Sequence, residues 1–275
     1  MRLHSTATKF DNTVAKDAYS DATFPCQFEI LSYSKIDGVA VKKRQISTGP
    51  DVVIPKRKVV VIGGQTYLLG HGAPDYWKGS VIRVNYVVQG SDALAHITTI
   101  ANALSGYQPI KAYAALVFAK YLPDTEDSSK YPPQYEIFLS GYEEAPADSL
   151  IKLNDTWYLV KQSYISNSGL RVALANALDT PNLETASLTT RTYNPVDDTY
   201  SAAATNIPVL RVKWSEHFRY LSKGTETYER GDLTVMVLKD HSPASPDTLT
   251  LSDGVWRVLS AQDEGLIWNC HARRA

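Results

Sequence analysis

Three stretches of the chain alternate apolar and polar residues in the same order. Pro55 leads to Lys58-Val59-Val60-Val61-Ile62, then Gly63-Gly64, then Gln65-Thr66-Tyr67-Leu68-Leu69. Pro146 leads to Ser149-Leu150-Ile151-Lys152-Leu153, then Asn154-Asp155, then Thr156-Trp157-Tyr158-Leu159-Val160. Pro246 leads to Thr248-Leu249-Thr250-Leu251-Ser252, then Asp253-Gly254, then Val255-Trp256-Arg257-Val258-Leu259. A period of two is the signature of a half-buried strand, and Gly-Gly, Asn-Asp and Asp-Gly tolerate the positive φ that tight hairpin turns require. Gly79, Gly169 and Gly265 each open a further strand, and Val39–Ile46, Tyr135–Ser140 and Leu233–Leu238 each supply an earlier one. The pattern predicts a three-fold repeat of a four-stranded antiparallel unit, with Trp157 and Trp256 in corresponding slots. Four strands bury little by themselves, so such units must roll into small barrels or sandwiches, or pack on one another.

The segments between the units read differently. Leu94, Ile97, Ile100 and Leu104 recur at helical spacing after Ser91 or Asp92 as N-cap, so a helix is expected over 92–104. Residues 112–122 read as a strand and 123–133 as an exposed loop. Residues 179–208, rich in Thr, Asn, Pro and Ala, read as a long loop or linker. The expected organisation is an N-terminal arm (1–22), β unit 1 (23–90), a helix, strand and loop connection (91–133), β unit 2 (134–178), the linker (179–208) and β unit 3 (209–275). The fold class is mainly β: repeated small antiparallel barrel or sandwich units with one short helix and long loops.

Composition narrows the function classes. The 275 residues carry 28 Lys+Arg against 29 Asp+Glu, a net charge of −1, which speaks against a globally basic nucleic-acid binder. Two cysteines, Cys26 and Cys270, are too few and too far apart for a disulfide framework. No apolar stretch is long enough for a membrane helix, and no secretory signal is visible. Seventeen tyrosines suit half-exposed sheet faces and interfaces.

Catalytic patterns are missing. There is no Gly-x-Ser-x-Gly elbow, the histidines are scattered rather than paired for a metal, and Gly70-His71-Gly72 is followed by Pro74 and Asp75 rather than by a helix. Arg230-Gly231-Asp232 reads as a turn before a strand. No catalytic residue, cofactor, metal or small-molecule substrate is expected. One charge feature stands out: Lys42, Lys43 and Arg44 with Lys56, Arg57 and Lys58 flank the loop at Gly49-Pro50-Asp51. If their strands are neighbours, they form a positive patch for DNA or an acidic partner.

The order of an extended strand, a long loop and "apolar–apolar–Gly-Gly-x-x-Tyr-Leu-Leu", closed by a strand such as Gly265-Leu266-Ile267-Trp268-Asn269-Cys270, resembles the short β-barrel proteins of tailed-bacteriophage necks, the head-closure (stopper) and head–tail connector proteins. The resemblance spans the three units. It implies a non-catalytic virion protein, assembled in the host cytoplasm as a homo-oligomeric ring. Its loops would contact portal or adaptor, tail proteins and the DNA channel. A tail or baseplate role, and a carbohydrate-binding or adhesion β-module, are the alternatives.

Overall fold

The computed structural model describes residues 11–275 except 21, 37–38, 92, 119–133, 179 and 214–230. Among the described residues the chain forms three closed six-stranded antiparallel barrels in tandem. Barrel 1 holds β1 (Asp11–Asp17), β2 (Thr23–Ile36), β3 (Val39–Thr48), β4 (Val59–Ile62), β5 (Gln65–Trp77) and β6 (Ser80–Gly90). Barrel 2 holds β7 (Ala93–Thr99), β8 (Ile110–Phe118), β9 (Gln134–Leu139), β10 (Ser149–Leu153), β11 (Thr156–Ile165) and β12 (Arg171–Ala177). Barrel 3 holds β13 (Asn182–Asn194), β14 (Thr199–Lys213), β15 (Leu233–Leu238), β16 (Thr248–Leu251), β17 (Gly254–Asp263) and β18 (Ile267–Arg274). In each, the spatial order is first, second, third, sixth, fifth, fourth strand, and the fourth closes on the first.

The repeat extends to individual positions. The hairpin of fourth and fifth strands pairs Val59 with Leu68, Leu150 with Leu159 and Thr248 with Arg257. The fifth and sixth strands then break register at the same step, after Leu69, Val160 and Val258. Such bulges add local twist and bend, which closing a narrow sheet demands. Before each hairpin the same turn recurs: Lys58 N donates to Pro55 O, Ser149 N to Pro146 O and Asp247 N to Ala244 O. Inside, one equivalent position of the first strand is an alanine in every barrel, Ala15, Ala95 or Ala186, and the fifth strand offers a buried ring, Tyr67, Tyr158 or Trp256. Small residues opposite large ones fill a six-stranded interior without voids.

Several expectations need correction. Each unit has six strands, because the first two of every barrel carry little alternation. The third hairpin turn is Ser252-Asp253, since Leu251 pairs with Gly254. Trp256 therefore corresponds to Tyr158 and Tyr67, not to Trp157, which is half-buried outside the barrel. The helix expected over 92–104 is strand β7 followed by a five-residue helix, α1 (Ile100–Leu104), capped by Thr99, whose side chain accepts from Asn102 N. The linker expected at 179–208 is the long β13–β14 hairpin, paired from Asn182↔Arg211 to Asn194↔Thr199. The expected N-terminal arm contains β1, an integral strand of barrel 1. Strand β8 matches the expected strand as far as Phe118, while the loop expected at 123–133 lies outside the described residues.

The barrels stack through one repeated contact. Val59 and Leu68 of barrel 1 face outward and cluster with Ala115, Leu170 and Phe138 of barrel 2. Leu150 and Leu159 of barrel 2 cluster with Leu210, Met236 and Ile267 of barrel 3, and α1 inserts Ile100 and Leu104 there. By strand pairing, Leu150 and Leu159 are the counterparts of Val59 and Leu68, while Leu210, Met236 and Ile267 are those of Ala115, Phe138 and Leu170.

Candidate functional site

The six cations of the expected patch belong to two strand neighbourhoods, Lys42, Lys43 and Arg44 on β3 and Lys56, Arg57 and Lys58 just before β4. Strands β3 and β4 are three places apart in a closed ring of six, on opposite sides of barrel 1. Lys42 and Lys43 lie on β3 opposite Tyr33 and Ser32 of β2, beyond the reach of β6, whose pairing begins at Arg44; their side chains lie outside the described residues. Arg44 sits over the Tyr67 ring, 5.6 Å from its centroid.

Arg57 is used internally. It lies 4.5 Å over the Tyr19 ring and 5.7 Å from that of Tyr142. It also pairs with buried Glu143 of barrel 2 at 3.8 Å. Burial pushes the Glu143 carboxyl up, and Arg57 partly opposes this. Exposed Lys56 stands 5.5 Å from the Tyr142 ring. Lys58 takes a left-handed φ of 55° in the turn before β4. Three of the four described cations thus lie against aromatic rings, and Arg57 ties barrel 1 to barrel 2.

Buried polar groups elsewhere are also structural. In barrel 3, Asp232 is 2% exposed and meets His271 Nε2 at 2.6 Å; Arg273 donates to both of its oxygens at 2.9 and 3.0 Å. His271 is itself only 3% exposed, so no substrate reaches this pair. Asp232 of the Arg-Gly-Asp tripeptide is thus buried and engaged by His271 and Arg273, while Gly231 is exposed and Arg230 lies outside the described residues. Arg211 bridges Glu184 at 2.8 Å and Asp253 at 2.7 Å, and Trp256 Nε1 donates to Asp253, fixing the Ser252-Asp253 turn. Among the described residues no group of three or more His, Cys, Asp and Glu side chains comes together as a metal site would require.

What the fold does expose is paired strand beyond the barrels. The β13–β14 hairpin pairs with β16 only at Ser187–Thr189 and with β15 only from Val209 onward. Beyond Thr189 it continues as a two-stranded ribbon, and residues 201–206 are all exposed, so both faces meet solvent. The β2–β3 hairpin is paired from Gln27↔Ser47 to Ile36↔Val39 and so runs past Arg44, where its pairing with β6 ends. The β5–β6 hairpin passes its last contact with β3 at Val84 and turns at Lys78-Gly79, both at positive φ. Its tip presents Tyr76, Trp77 and Ile82, at 64%, 66% and 51% exposure. Beside it a cleft of about 630 Å³ is lined by Pro25, Gln27, Ser47, Ile82 and Arg83 among others.

Sequence reasoning missed these ribbons. Residues 71–77, which carried no strand expectation, continue strand β5, and 179–208 read as a linker. Tyr76-Trp77-Lys78-Gly79 did carry the signal of a tight turn beside exposed aromatics. Compared with known protein families, curated proteins and solved structures, the chain matches none.

Proposed function

We propose that this chain is a non-catalytic structural protein of a tailed-phage virion. It forms a homo-oligomeric ring at the head–tail neck and meets portal or adaptor and tail proteins through its projecting hairpins. The observation that carries the reading is the pairing of closed barrels with ribbons that run past them. A closed barrel has no edge to donate, whereas among the described residues the β13–β14 and β5–β6 ribbons run past their barrel neighbours and leave strand edges unpaired. An isolated two-stranded ribbon is marginal in water, and adding a neighbour's strand to it is a standard way to build assemblies. The sequence resemblance to neck proteins supplies the setting, and a tail or baseplate position is the alternative.

The carbohydrate-binding reading requires a row of exposed rings. Of the described tryptophans, Trp77 is well exposed, Trp157 is half-buried between barrels 2 and 3, Trp256 is buried, and Trp268 donates to the Lys239 carbonyl at 3.0 Å. That distribution favours assembly. DNA contact by Lys42 and Lys43 stays within the proposal as a property of the β2–β3 ribbon. The test is negative-stain imaging of the purified full chain, with co-sedimentation on assembled tailed particles. Rings or particle binding are expected. A chain that stays monomeric and ignores particles overturns the reading.

A further inference from the structure

Among the described residues, no barrel stacks on the receiving face of barrel 1 or on the donating face of barrel 3. In barrels 2 and 3 the receiving face is built from the second, third and sixth strands, by Ala115, Phe138 and Leu170, then by Leu210, Met236 and Ile267. The counterparts in barrel 1, fixed by strand pairing, are Gln27, Ser47 and Arg83. These line the 630 Å³ cleft. The donating face is built from the fourth and fifth strands, and its counterpart in barrel 3 is Thr248 and Arg257, with Val255 beside them at 44% exposure.

A second feature coincides. In the first internal contact the bulge of barrel 1 touches the connection between the fifth and sixth strands of barrel 2, where His71 N donates to Ser168 O at 2.5 Å. In the second, Glu264 and Leu266 of that connection in barrel 3 line one pocket with Ala147 and Asp148 of barrel 2, and the charge of Glu264 acts on the bulge residue Lys161. The free bulge residue of barrel 3 is the half-buried Leu259. In barrel 1 the connection facing no neighbour is the β5–β6 tip, where the exposed Ile82 stands in the place of Gly169. The tip thus offers an apolar surface where barrels 2 and 3 grip a preceding barrel.

We propose that copies of this chain associate head to tail, the barrel 3 donating face of one copy seating in the barrel 1 cleft of the next. This deepens the ring assignment and rests on it. Leu259 and Val255 of one copy meet Ile82 of the next, while Arg257 stacks on Tyr76 and Trp77. The contact is heterologous, so repetition with rotation closes a ring. Its polar replacements, Thr248 and Arg257 against Gln27 and Ser47, make it weaker than the aliphatic internal contacts. The chain therefore folds as a soluble unit and then assembles reversibly.

The experiment uses full-length chain with Ile82→Cys and Leu259→Cys and a short bis-maleimide, the native Cys26 and Cys270 being buried. The double variant yields a ladder of linked dimers, trimers and higher species. A mixture of the two single variants yields only dimers, and either alone yields none. Arg257→Glu, on the surface, weakens self-association about tenfold by sedimentation. Oligomers that form without an 82–259 link overturn this contact and leave the ring reading standing. A monomer without links overturns it too, and if that monomer also ignores particles the ring reading falls with it.

Discussion

At the scale of single residues, burial and close approach decide which side chains are inert and which glycines are fixed. Burial pushes the Cys270 thiol up to about 12, with Asp247 adding to it, and burial raises Cys26 as well. The two lie in different barrels, so neither serves the other. Native protein at pH 8 is expected to give no fast reaction with a thiol reagent, and two equivalents after denaturation. Gly169 has a φ of +81°, and a Cβ there would stand 1.8 Å from the His71 ring at the barrel 1–2 contact. Gly169→Ala is expected to cost about 3 kcal/mol by denaturant unfolding, from strain and overlap together. Lys161, the bulge residue of barrel 2, has its pKa lowered by burial, against the opposing pull of Asp148 and Glu264. The unfolded chain then holds its proton more tightly, so the penalty is present at neutral pH. It is lifted as pH climbs toward the ordinary lysine value of 10.5. Lys161→Met is expected to raise stability by about 1 kcal/mol at pH 7 and to gain progressively less as pH rises, read from urea midpoints.

At the scale of elements, each barrel depends on its fourth-to-fifth-strand hairpin, where one ring fills the space left by the alanine of the first strand. Trp256→Ala, removing a ring only 6% exposed, is expected to cost about 3–5 kcal/mol, measured as the loss of barrel 3 stability in urea. These hairpins were legible in sequence because large apolar residues alternate with polar ones beside a turn that tolerates positive φ. The first two strands were not, for a physical reason. At one inward position of the first strand every barrel holds an alanine, Ala15, Ala95 or Ala186, and the large inward residues Ile97 of β7 and Leu188 of β13 stand singly rather than in a run of alternation. In β7 the remaining apolar residues serve two surfaces: Ile97 points into barrel 2, while Ile100 and Leu104 of α1 face barrel 3. Their spacing mimics a helix. In the β13–β14 ribbon neither face is buried beyond Thr189, so Thr, Asn and Ala alternate with nothing. The placement of the six cations was not legible for a topological reason, since residues on either side of one loop can sit on opposite walls of a closed barrel.

At the scale of the whole molecule, the same contact is written in aliphatic residues inside the chain and in polar ones at its ends. Leu150, Leu159, Leu210, Met236 and Ile267 couple barrels 2 and 3 through a dry cluster with α1 wedged into it. Domains joined by such an interface unfold as one cooperative body, whereas a polar interface lets them part. Leu159 is 3% exposed and faces outward from its own barrel, so replacing it disturbs the coupling more than the barrel 2 interior. Leu159→Asp places a carboxylate in that apolar cluster, at a cost of several kcal/mol charged to the contact. Calorimetry of this variant is expected to show the single transition dividing, with one component about 10 °C lower and the other little changed. Arg257→Leu makes the opposite substitution at the corresponding position of barrel 3 and is expected to turn reversible association into concentration-dependent aggregation, seen as light scattering. If Leu159→Asp still melted in one step at an unchanged temperature, the barrels would be coupled by something other than this face. The correspondence between the internal contacts and the chain's two free ends would then lose its basis.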